Sequence, residues 1–562
     1  MKKRIIALLL GAIMVFSLAA CGNDGQAEAT TKAEDEATQI INVGELDQED
    51  LIEEGNLAGS GSHGGTGYVM ESVQKDVLKM AVGDVPTNIS PWAGSSKGRH
   101  YVINSIYQTL FDYDKVTGKY VLTLAKEINK KSDTTYEIIL HEGIHDWKGY
   151  PFTAEDAVFS ILQCREANNV SGMGQIKDVV QTGELSLEVT MANARDYQFA
   201  SSVPMVFCVT KEAYEESPDG MATEAVGTGT YKFVEFESGS VAVLEKVEDY
   251  WGKDLADRDT NSGWYWHKQN VDRIEFMKIK EAAQQSISLE KGDVDVVEAM
   301  ATKEAIKFEG NADYNVWSNI DSRSCNLYFN CGEKSPMQSV ELRQAVAYAV
   351  DANGIIKAYG GYGIKATTFG AVIFADCNPD WANEAYYEYD PSKAEELIKA
   401  SGFDKSQSIR IMASSSDNIN ISIAQALQGY LGAVGIEVKI EEYDSAAFAA
   451  HKYDEEAYDI RLDQSSFTSL ADLWTQFLAA GNKEKSYAQM KDDELEEMLK
   501  KLETAEGRTK ENVNAAHQRI KDQCYVYGLY TEQGFHVTTS NIVEMVYTPK
   551  LFILPGALTF KE

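Results

Sequence analysis

Strands and capped helices alternate along most of this chain, and that alternation limits the fold more than any single motif does. In DPSKAEELIKASG, Asp390 suits an N-cap, Pro391 the first helical position and Gly402 the residue after the last turn. A second helical pattern covers 421–435, and 436–444 (IEVKIEEYD) then alternates apolar and charged residues as a half-buried strand does. This order predicts an α/β or mixed α+β architecture.

The same alternation of strand and helix patterns is found nearer the start of the folded part. VLKMAV at 77–82 predicts the first strand, and INSIYQTLFDYD at 103–114 predicts a helix with one apolar side. ELRQAVAYAVD at 341–351 places its apolar residues on one helical stripe. About 485 residues follow the N-terminal region, which is enough for a large core and two or three lobes.

One short pattern points to different chemistry. His141-Glu142-Gly143-Ile144-His145 matches H-E-x-x-H, in which two histidines on one helix face hold zinc and the glutamate activates water. The residues before it, 136–140, read as a strand, and Gly143 costs a helix about 1 kcal/mol. The first helix signal comes at Thr153, which can form a capping box with Asp156. We therefore expect both histidines on an extended segment.

The N-terminus predicts where the protein acts. A basic start and an apolar stretch over 1–20 form a signal peptide that ends in Leu-Ala-Ala before Cys21, which resembles the bacterial lipobox. Residues 21–75 comprise this lipidated cysteine and a polar, acidic tether without a folding pattern. We expect a lipoprotein on the outer, extracytoplasmic face of the cell membrane, held by its lipid anchor only.

Charge and cysteine spacing exclude several classes. The formal net charge of −35 argues against nucleic-acid binding and against docking of the folded surface on an anionic membrane. The six cysteines after Cys21 contain no C-x-x-C pair, so they form neither a zinc ribbon nor a thioredoxin motif, and they fit either disulfides or buried thiols. The histidines are not spaced as a metal set, so we expect no metal and no cofactor.

Several stretches in one order resemble a known family. They are IYQTLFDYDKVTGKYVLTLAKEI, YEIILHEGIHDWKGYPFTAEDAVFS, GTGTYKFVEF, VEDYWG, LRQAVAYAVD, DPSKAEELIKASG and LGAVGIEVKI. Together they span nearly all of 77–562 and resemble the extracellular solute-binding proteins of peptide/nickel ABC importers, family 5. The second stretch contains the H-E-x-x-H letters within the family's strand and turn, so this resemblance makes the zinc match a coincidence.

The resemblance implies a two-lobed α/β fold of the periplasmic-binding-protein type II-like class, of the large cluster C type, with a two-crossover hinge. Lobe I would comprise 76–321 plus 530–562, and lobe II would comprise 322–529. The hinge strands would be CNLYFNC (325–331) and YGLYTEQG (527–534).

The resemblance also implies function. We expect a monomeric substrate-binding lipoprotein, not an enzyme, that captures a solute, with a peptide as first candidate, in the inter-lobe cleft. It would deliver that solute to separate ABC permease and ATPase subunits, since the chain has no G-x-x-x-x-G-K-[ST] motif. The alternatives are a zinc metallopeptidase and a surface sensory or adhesive protein on the same fold.

Residues of the cleft follow from the same resemblance. Dipeptide binders pair an aspartate with the peptide ammonium, and Thr468 stands at that position here, with Asp463 and Asp472 nearby. The loop 413–420 lacks the arginine that meets a terminal carboxylate, so a free dipeptide is disfavoured. The predicted ligand-binding residues are Gly94, Ser95, Ser96, Ser414, Ser415, Ser416, Asp417, Asp463, Gln464, Ser465, Ser466, Thr468 and Asp472.

Overall fold

The structure is a computed structural model that describes residues 71–562 except 95–96, 259–260, 359–362, 417, 468 and 478–491. The predicted signal peptide 1–20, Cys21 and the tether up to residue 70 lie outside the described residues. The first strand begins at Lys75, and Val73 N already donates to Phe560 O. In the described part of the chain, no helix has the length and apolar character needed to cross a bilayer.

The strands, in chain order, are β1 (Lys75–Val82), β2 (Phe111–Asp114), β3 (Lys119–Leu122), β4 (Ala125–Lys130), β5 (Thr135–Leu140), β6 (Ile176–Gln181), β7 (Ser186–Met191), β8 (Tyr231–Glu237), β9 (Val241–Lys246), β10 (Val271–Lys278), β11 (Val296–Val297), β12 (Tyr314–Phe329), β13 (Gly363–Lys365), β14 (Ser408–Ser414), β15 (Glu437–Tyr443), β16 (Ile460–Ser466), β17 (Val526–Thr539), β18 (Ile542–Glu544) and β19 (Thr559–Phe560).

The α-helices are α1 (Lys97–Ile103), α2 (Ala154–Ala167), α3 (Asp196–Ser202), α4 (Lys211–Glu216), α5 (Ala282–Glu290), α6 (Thr302–Ala305), α7 (Val340–Ala349), α8 (Ala352–Ala358), α9 (Pro391–Ser401), α10 (Asn418–Ala433), α11 (Ser445–His451), α12 (Leu470–Phe477), α13 (Asp493–Lys501) and α14 (Lys510–Gln523).

One large mixed sheet runs through the molecule in the order β15-β14-β16-β12-β17-β11-β1-β10-β9-β8, with β13 also paired to β17. β1 is parallel to β10 and β11, and β14 is parallel to β15 and β16. A separate antiparallel sheet has the order β4-β5-β7-β6. β5 pairs with β4 and β7 in this sheet, and its Tyr136, Ile138 and Leu140 are buried in alternation with less buried residues, as in a half-buried strand.

The long strands β12 and β17 connect the two ends of the large sheet. The first part of β12 pairs only with β17, whereas Arg323–Phe329 pairs with β16 on its other side. The pairing of β12 with β17 shifts register between Ile320 and Ser324. Both strands are therefore irregular at the same level of the sheet.

The buried apolar residues form separate cores on the two parts of the molecule that β12 and β17 connect. One core draws its residues from 78–317 and 542–560. Two others draw theirs from 320–530, with Val116 as the one member from elsewhere. Val116 lies at the tip of the β2–β3 hairpin, so this hairpin reaches from the first group of residues into a core of the second.

The capped helices are confirmed. Asp390 Oδ1 accepts a hydrogen bond from Lys393 N at 2.9 Å, and Gly402 ends α9 with φ of +69°. At the start of α2, Asp156 Oδ2 accepts from Thr153 N at 2.7 Å and from the Thr153 hydroxyl at 2.9 Å. These ends are specified by neighbouring residues, which is why the sequence predicts them.

The predicted helix over 103–114 is wrong. Helix α1 ends at Ile103, and the residues from Phe111 form the first strand of a hairpin. Asp114 Oδ1 accepts from Val116 N at 2.8 Å, and Gly118 adopts φ of +68°. This turn chemistry outweighs the helical spacing of the apolar residues before it.

Candidate functional site

Two adjoining cavities lie where the two groups of core residues meet. The first has a volume of about 550 Å³ and the second about 610 Å³, and both are lined by Tyr113 and Ala200. The first takes its other walls from residues 100–299 and 534–552 and from Ser322, Arg323 and Ser466. Cavities of this size, with mixed polar and aromatic walls, suit small-molecule ligands.

Three residues that line the first cavity form a chain of hydrogen bonds. Lys115 Nζ, at the tip of the β2–β3 hairpin, donates to Ser322 Oγ at 3.0 Å. Ser322 Oγ lies 2.7 Å from Ser466 Oγ, and either hydroxyl can be the donor. Because Ser322 is on β12 and Ser466 on β16, this chain connects the hairpin to the far part of the sheet.

An ion pair forms another wall of the first cavity. Lys550 Nζ lies 3.5 Å from Asp112 Oδ1 and donates to Pro204 O at 2.8 Å. Burial raises the pKa of Asp112 above its usual range, although Lys550 works in the opposite direction. Lys550 thus has a carboxylate close by.

Aromatic rings line the same cavity. His100 stacks on Phe552 with ring centroids 4.7 Å apart, and Tyr101 meets Phe552 edge-on at 5.3 Å. Burial raises the pKa of Tyr113, between the cavities, to about 12, so its hydroxyl remains protonated at neutral pH. Such walls can bind planar or apolar ligand groups beside the charged residues that line the same cavity.

The second cavity is built around an arginine. Arg508 Nη2 donates to Asp472 Oδ1 at 2.9 Å, and its guanidinium lies 5.2 Å from the centroid of Tyr197. Asp376 accepts from Leu470 N at 2.9 Å and from Ala471 N at 2.8 Å, which fixes the start of α12. This cavity therefore has firmly held polar groups on one side.

Two contacts between distant segments lie beside the second cavity, whose lining includes Asp196 and Ala505. Arg195 Nη2 lies 2.5 Å from Glu503 Oε1, and Asp196 Oδ2 accepts from Ala505 N at 2.7 Å. Burial alone would raise the pKa of Asp196, but hydrogen bonds from Tyr136 and Lys130 hold it below its usual range. An ionised Asp196 thus accepts hydrogen bonds from Tyr136, Lys130 and the distant Ala505 N.

The structure brings two predicted ligand residues to these cavities. Ser466 lines the first cavity. Asp472 is 1 % exposed and bound to Arg508, which lines the second cavity. Asp472 therefore lies behind the cavity wall and positions the arginine.

Other predicted residues on β16 bind within the sheet. Asp463 lies 3.3 Å from Arg461 Nε, and Gln464 Nε2 donates to Glu532 of β17 at 2.5 Å. Ser465 is buried. The described walls of the two cavities include none of these three β16 residues.

The remaining predictions lie farther out. Gly94 is half-buried with φ of +105°, and Ser414 ends β14. Ser415 and Ser416 form an exposed turn, where Ser416 Oγ accepts from Ser445 N at 3.2 Å. The described walls of both cavities exclude these four residues. Ser95, Ser96, Asp417 and Thr468 lie outside the described residues.

The sequence analysis missed several cavity residues, namely His100, Asp112, Lys115, Ser322, Lys550 and Phe552. Lys115 had a local signal, because Asp114 and Gly118 flank it as turn residues between two strand patterns. Its contact with Ser322 spans 207 residues, and local patterns do not contain such a separation.

The H-E-x-x-H letters do not form a zinc site. Strand β5 ends at Leu140, Gly143 adopts φ of +74° in the following turn, and His145 Nδ1 lies 3.0 Å from Asp146 O. The helical face that the motif needs is therefore missing. Throughout the described residues, no three His, Cys, Asp or Glu side chains cluster as metal ligands.

Comparison with known proteins agrees with this geometry. Residues 119–484 match the bacterial extracellular solute-binding proteins, family 5 Middle. The glutathione-binding protein GsiB of Pectobacterium atrosepticum is 23% identical over 385 residues, which covers 67% of this chain and 71% of that protein.

Solved structures share the fold. The ABC transporter substrate-binding protein CtaP of Listeria monocytogenes has a TM-score of 0.72 at 22% identity, covering 87% of this chain and 100% of that one. A putative peptide-binding protein AppA from Clostridium difficile has a TM-score of 0.73 at 19% identity, covering 86% and 100%. The predicted type II periplasmic-binding fold is confirmed.

Proposed function

This chain belongs to the bacterial extracellular solute-binding proteins of family 5, and on that basis we propose that it captures a peptide between two lobes for an ABC importer. Members of this family act outside the cytoplasm and work with separate permease and ATPase subunits.

The observation that supports the proposal most strongly is that residues of both lobes line the cavities. Lobe I, 76–321 plus 530–562, supplies most of the first cavity, and lobe II, 322–529, supplies Ser322, Arg323 and Ser466. The second cavity takes residues from both lobes, with the larger share from lobe II. A solute held there touches both lobes, so its binding favours the closed arrangement.

The hinge of this proposal lies in β12 and β17. The register shift between Ile320 and Ser324 falls at the lobe boundary and leaves local backbone pairing weaker there. Small changes of φ and ψ in two strands suffice to open a cleft, while the cores on either side stay rigid.

A short peptide suits the cleft better than a bulky solute. Cavities of about 550 and 610 Å³ offer charged groups, hydroxyls and aromatic rings, which match the backbone, ends and side chains of a peptide. The glutathione binder among the relatives and the peptide binder among the structures agree with this class.

Titration calorimetry with mixed tetrapeptide pools and with glutathione tests the proposal. We expect saturable binding of at least one probe, and recovery of that probe unchanged by mass spectrometry. Absence of binding to all of them, or chelator-sensitive cleavage of a probe, would contradict it.

Anchoring is the remaining part of the proposal. Lipid attached to Cys21 and the tether 21–75 would hold the lobes near the permease. The Cys21→Ala protein should leave the membrane fraction of producing cells, whereas Cys331→Ala should stay there. Equal retention of both variants would contradict lipidation at Cys21.

A further inference from the structure

We propose that the second cavity is a pocket for an aromatic side chain of the bound solute, so that the preferred solute is a peptide that contains Phe, Tyr or Trp. The proposal rests on the proposed function, because it assigns the side-chain chemistry of the captured peptide. Three tyrosines that line this cavity carry it, namely Tyr113, Tyr120 and Tyr197, and none of them is among the predicted ligand-binding residues.

Two of these rings lie next to each other on the β2–β3 hairpin. Tyr113 and Tyr120 are register partners, with ring centroids 6.0 Å apart and an interplanar angle of 63°. Tyr120 also packs edge-on against Phe111 and Phe199, at 5.0 and 5.9 Å. Both tyrosines are half-buried and line the cavity, so part of each ring borders the empty volume. The wall on the side of lobe I is therefore aromatic, and its rings are oriented by their neighbours.

The third ring is oriented from lobe II. The Arg508 guanidinium lies 5.2 Å from the centroid of the Tyr197 ring, and Arg508 is itself held by Asp472 at 2.9 Å. Pro379 and Val513 of lobe II line the same cavity. An aromatic side chain bound there lies between tyrosine rings of one lobe and apolar groups of the other, so closure of the lobes completes its burial.

The four charged residues that line this cavity already have partners in the protein. Three of them form ion pairs, which are Arg508 with Asp472 at 2.9 Å, Asp196 with Lys130 at 2.9 Å and Lys510 with Asp380 at 3.0 Å. The fourth, Asp376, accepts hydrogen bonds from Leu470 N and Ala471 N at 2.9 and 2.8 Å. A charged ligand side chain would leave water without a counter-charge of its own, which is unfavourable. The cavity therefore favours a neutral side chain.

Among neutral side chains, the tyrosine rings favour an aromatic one. Burial of either an aromatic or an aliphatic side chain removes apolar surface from water, but only an aromatic ring adds edge-to-face or offset contacts with the tyrosines. Burial raises the pKa of Tyr113 to about 12 and also raises the pKa of Tyr120, so both hydroxyls stay protonated at neutral pH and the rings carry no charge. The volume of about 610 Å³ lies within the range of pockets that enclose whole small molecules, so an indole also fits.

Titration calorimetry of the mature protein with five tetrapeptide pools tests this specificity. Four pools carry a single Phe, Leu, Lys or Glu at any of the four positions, with Ala and Ser at the others, and the fifth pool contains only Ala and Ser. We expect the Phe pool to bind about 10–100-fold more tightly than the Ala/Ser pool, as burial of one large apolar side chain predicts. The Leu pool should bind about 3–10-fold more weakly than the Phe pool, because it lacks the ring contacts. The Lys and Glu pools should bind no more tightly than the Ala/Ser pool.

Substitutions of one cavity tyrosine show whether the rings cause the preference. Tyr120→Leu should reduce the difference between the Phe and Leu pools, because it removes a ring and keeps an apolar side chain. Tyr120→Phe retains the ring and should retain the difference. Tyr389→Leu, at a position that is 47% exposed and outside the described walls of the cavity, is the matched control and should bind all pools as the parent does.

A second variant fills the cavity without removing a ring. Ala375 lines the cavity at an exposed position, so Ala375→Phe places a side chain of the protein where the ligand ring would lie. The affinity for the Phe pool should then fall towards that for the Ala/Ser pool. Thermal unfolding of each variant shows whether it is folded, and Ala375→Phe provides the test where Tyr120→Leu does not fold.

The outcomes separate this pocket from the proposed function. Equal binding of the Phe and Leu pools, tightest binding of the Lys or Glu pool, or a Phe preference that survives in both Tyr120→Leu and Ala375→Phe would overturn the aromatic pocket but leave the proposed function standing. Binding of none of the pools and no binding of glutathione would overturn both.

Discussion

Single buried side chains fix the walls of the second cavity. Asp472 and Arg508 face each other at 2.9 Å, with their side chains only 2% and 16% exposed. The sequence analysis predicted Asp472 as a ligand-binding residue, but its partner Arg508 is 36 residues away and has no local signal. Ion pairs between distant segments are the part of a site that sequence patterns leave open.

Replacement of Asp472 by Asn should lower the free energy of unfolding by about 3 kcal/mol, because it leaves the Arg508 guanidinium buried without its carboxylate. Urea denaturation measures the change. Asp380→Asn breaks a 3.0 Å pair with Lys510 whose side chains are 69% and 68% exposed, and it should have almost no effect. A similar loss in both variants would contradict a special role for the buried pair.

Buried histidines make stability depend on pH. Burial lowers the pKa of His517 to about 3, and its ring stacks on Trp381 at 3.7 Å. Between the ordinary histidine pKa of about 6.5 and this value, the unfolded chain binds a proton that the folded chain does not. Stability should therefore fall as the pH falls through this range.

His517→Phe keeps the ring stacked and removes the titrating group. Its free energy of unfolding should decrease less steeply than that of the parent between pH 6 and pH 4, by up to about 1.4 kcal/mol per pH unit. Ala515→Ser, at an exposed position of the same helix that carries no titrating group, is the control and should keep the slope of the parent. A parental slope in His517→Phe would show that the buried ring does not cause the pH dependence.

At the scale of elements, helices with complete caps were predictable, whereas the hairpin at 111–122 was not. Caps depend on residues within one turn, as Thr153 and Asp156 illustrate. The hairpin depends on Asp114 and Gly118 as turn residues and on docking of Val116 into a distant core. Local turn residues and one tertiary contact together therefore determine the element that carries Lys115.

Strand β17 has no space for a side chain at Gly528. A Cβ added there would lie 2.2 Å from Thr368 O and 3.0 Å from Ala366 Cβ. Gly528→Ala should destabilise the protein by about 1–3 kcal/mol, because β17 and the neighbouring backbone must separate. Urea denaturation measures the loss.

The same substitution at Gly429 should have the opposite sign. Gly429 lies in α10 with nothing within 4 Å of an added Cβ, so alanine should stabilise the helix by about 0.5–1 kcal/mol. Destabilisation at Gly429, or neutrality at Gly528, would contradict the packing of these elements.

At the scale of the whole molecule, the order of the family motifs predicted the fold. Most residues that line the two cavities, however, were not among the predicted ligand-binding residues. The resemblance predicted Ser466 on its strand, but Lys115 and Ser322 meet only because segments 207 residues apart come together. The fold depends on many local patterns, which the chain retains. The set of cavity-lining residues depends on contacts between segments that are far apart in the sequence.

The contact between Arg195 and Glu503 joins the two proposed lobes and should help to hold them closed. Both side chains are about one-third exposed, so the pair contributes less than about 1 kcal/mol. Glu503→Gln should weaken binding of a tetrapeptide pool that binds the parent by a factor of about 2–5 in titration calorimetry. Glu497→Gln, which breaks a pair within α13, should leave affinity unchanged, and equal affinities in both variants would contradict this role.

The most direct measurement of the central claim is small-angle X-ray scattering of the mature protein with and without a tetrapeptide pool that calorimetry shows to bind. The account predicts a smaller radius of gyration when the pool is present, since a ligand that touches both lobes favours closure. An unchanged scattering profile at saturating peptide would contradict capture by lobe closure.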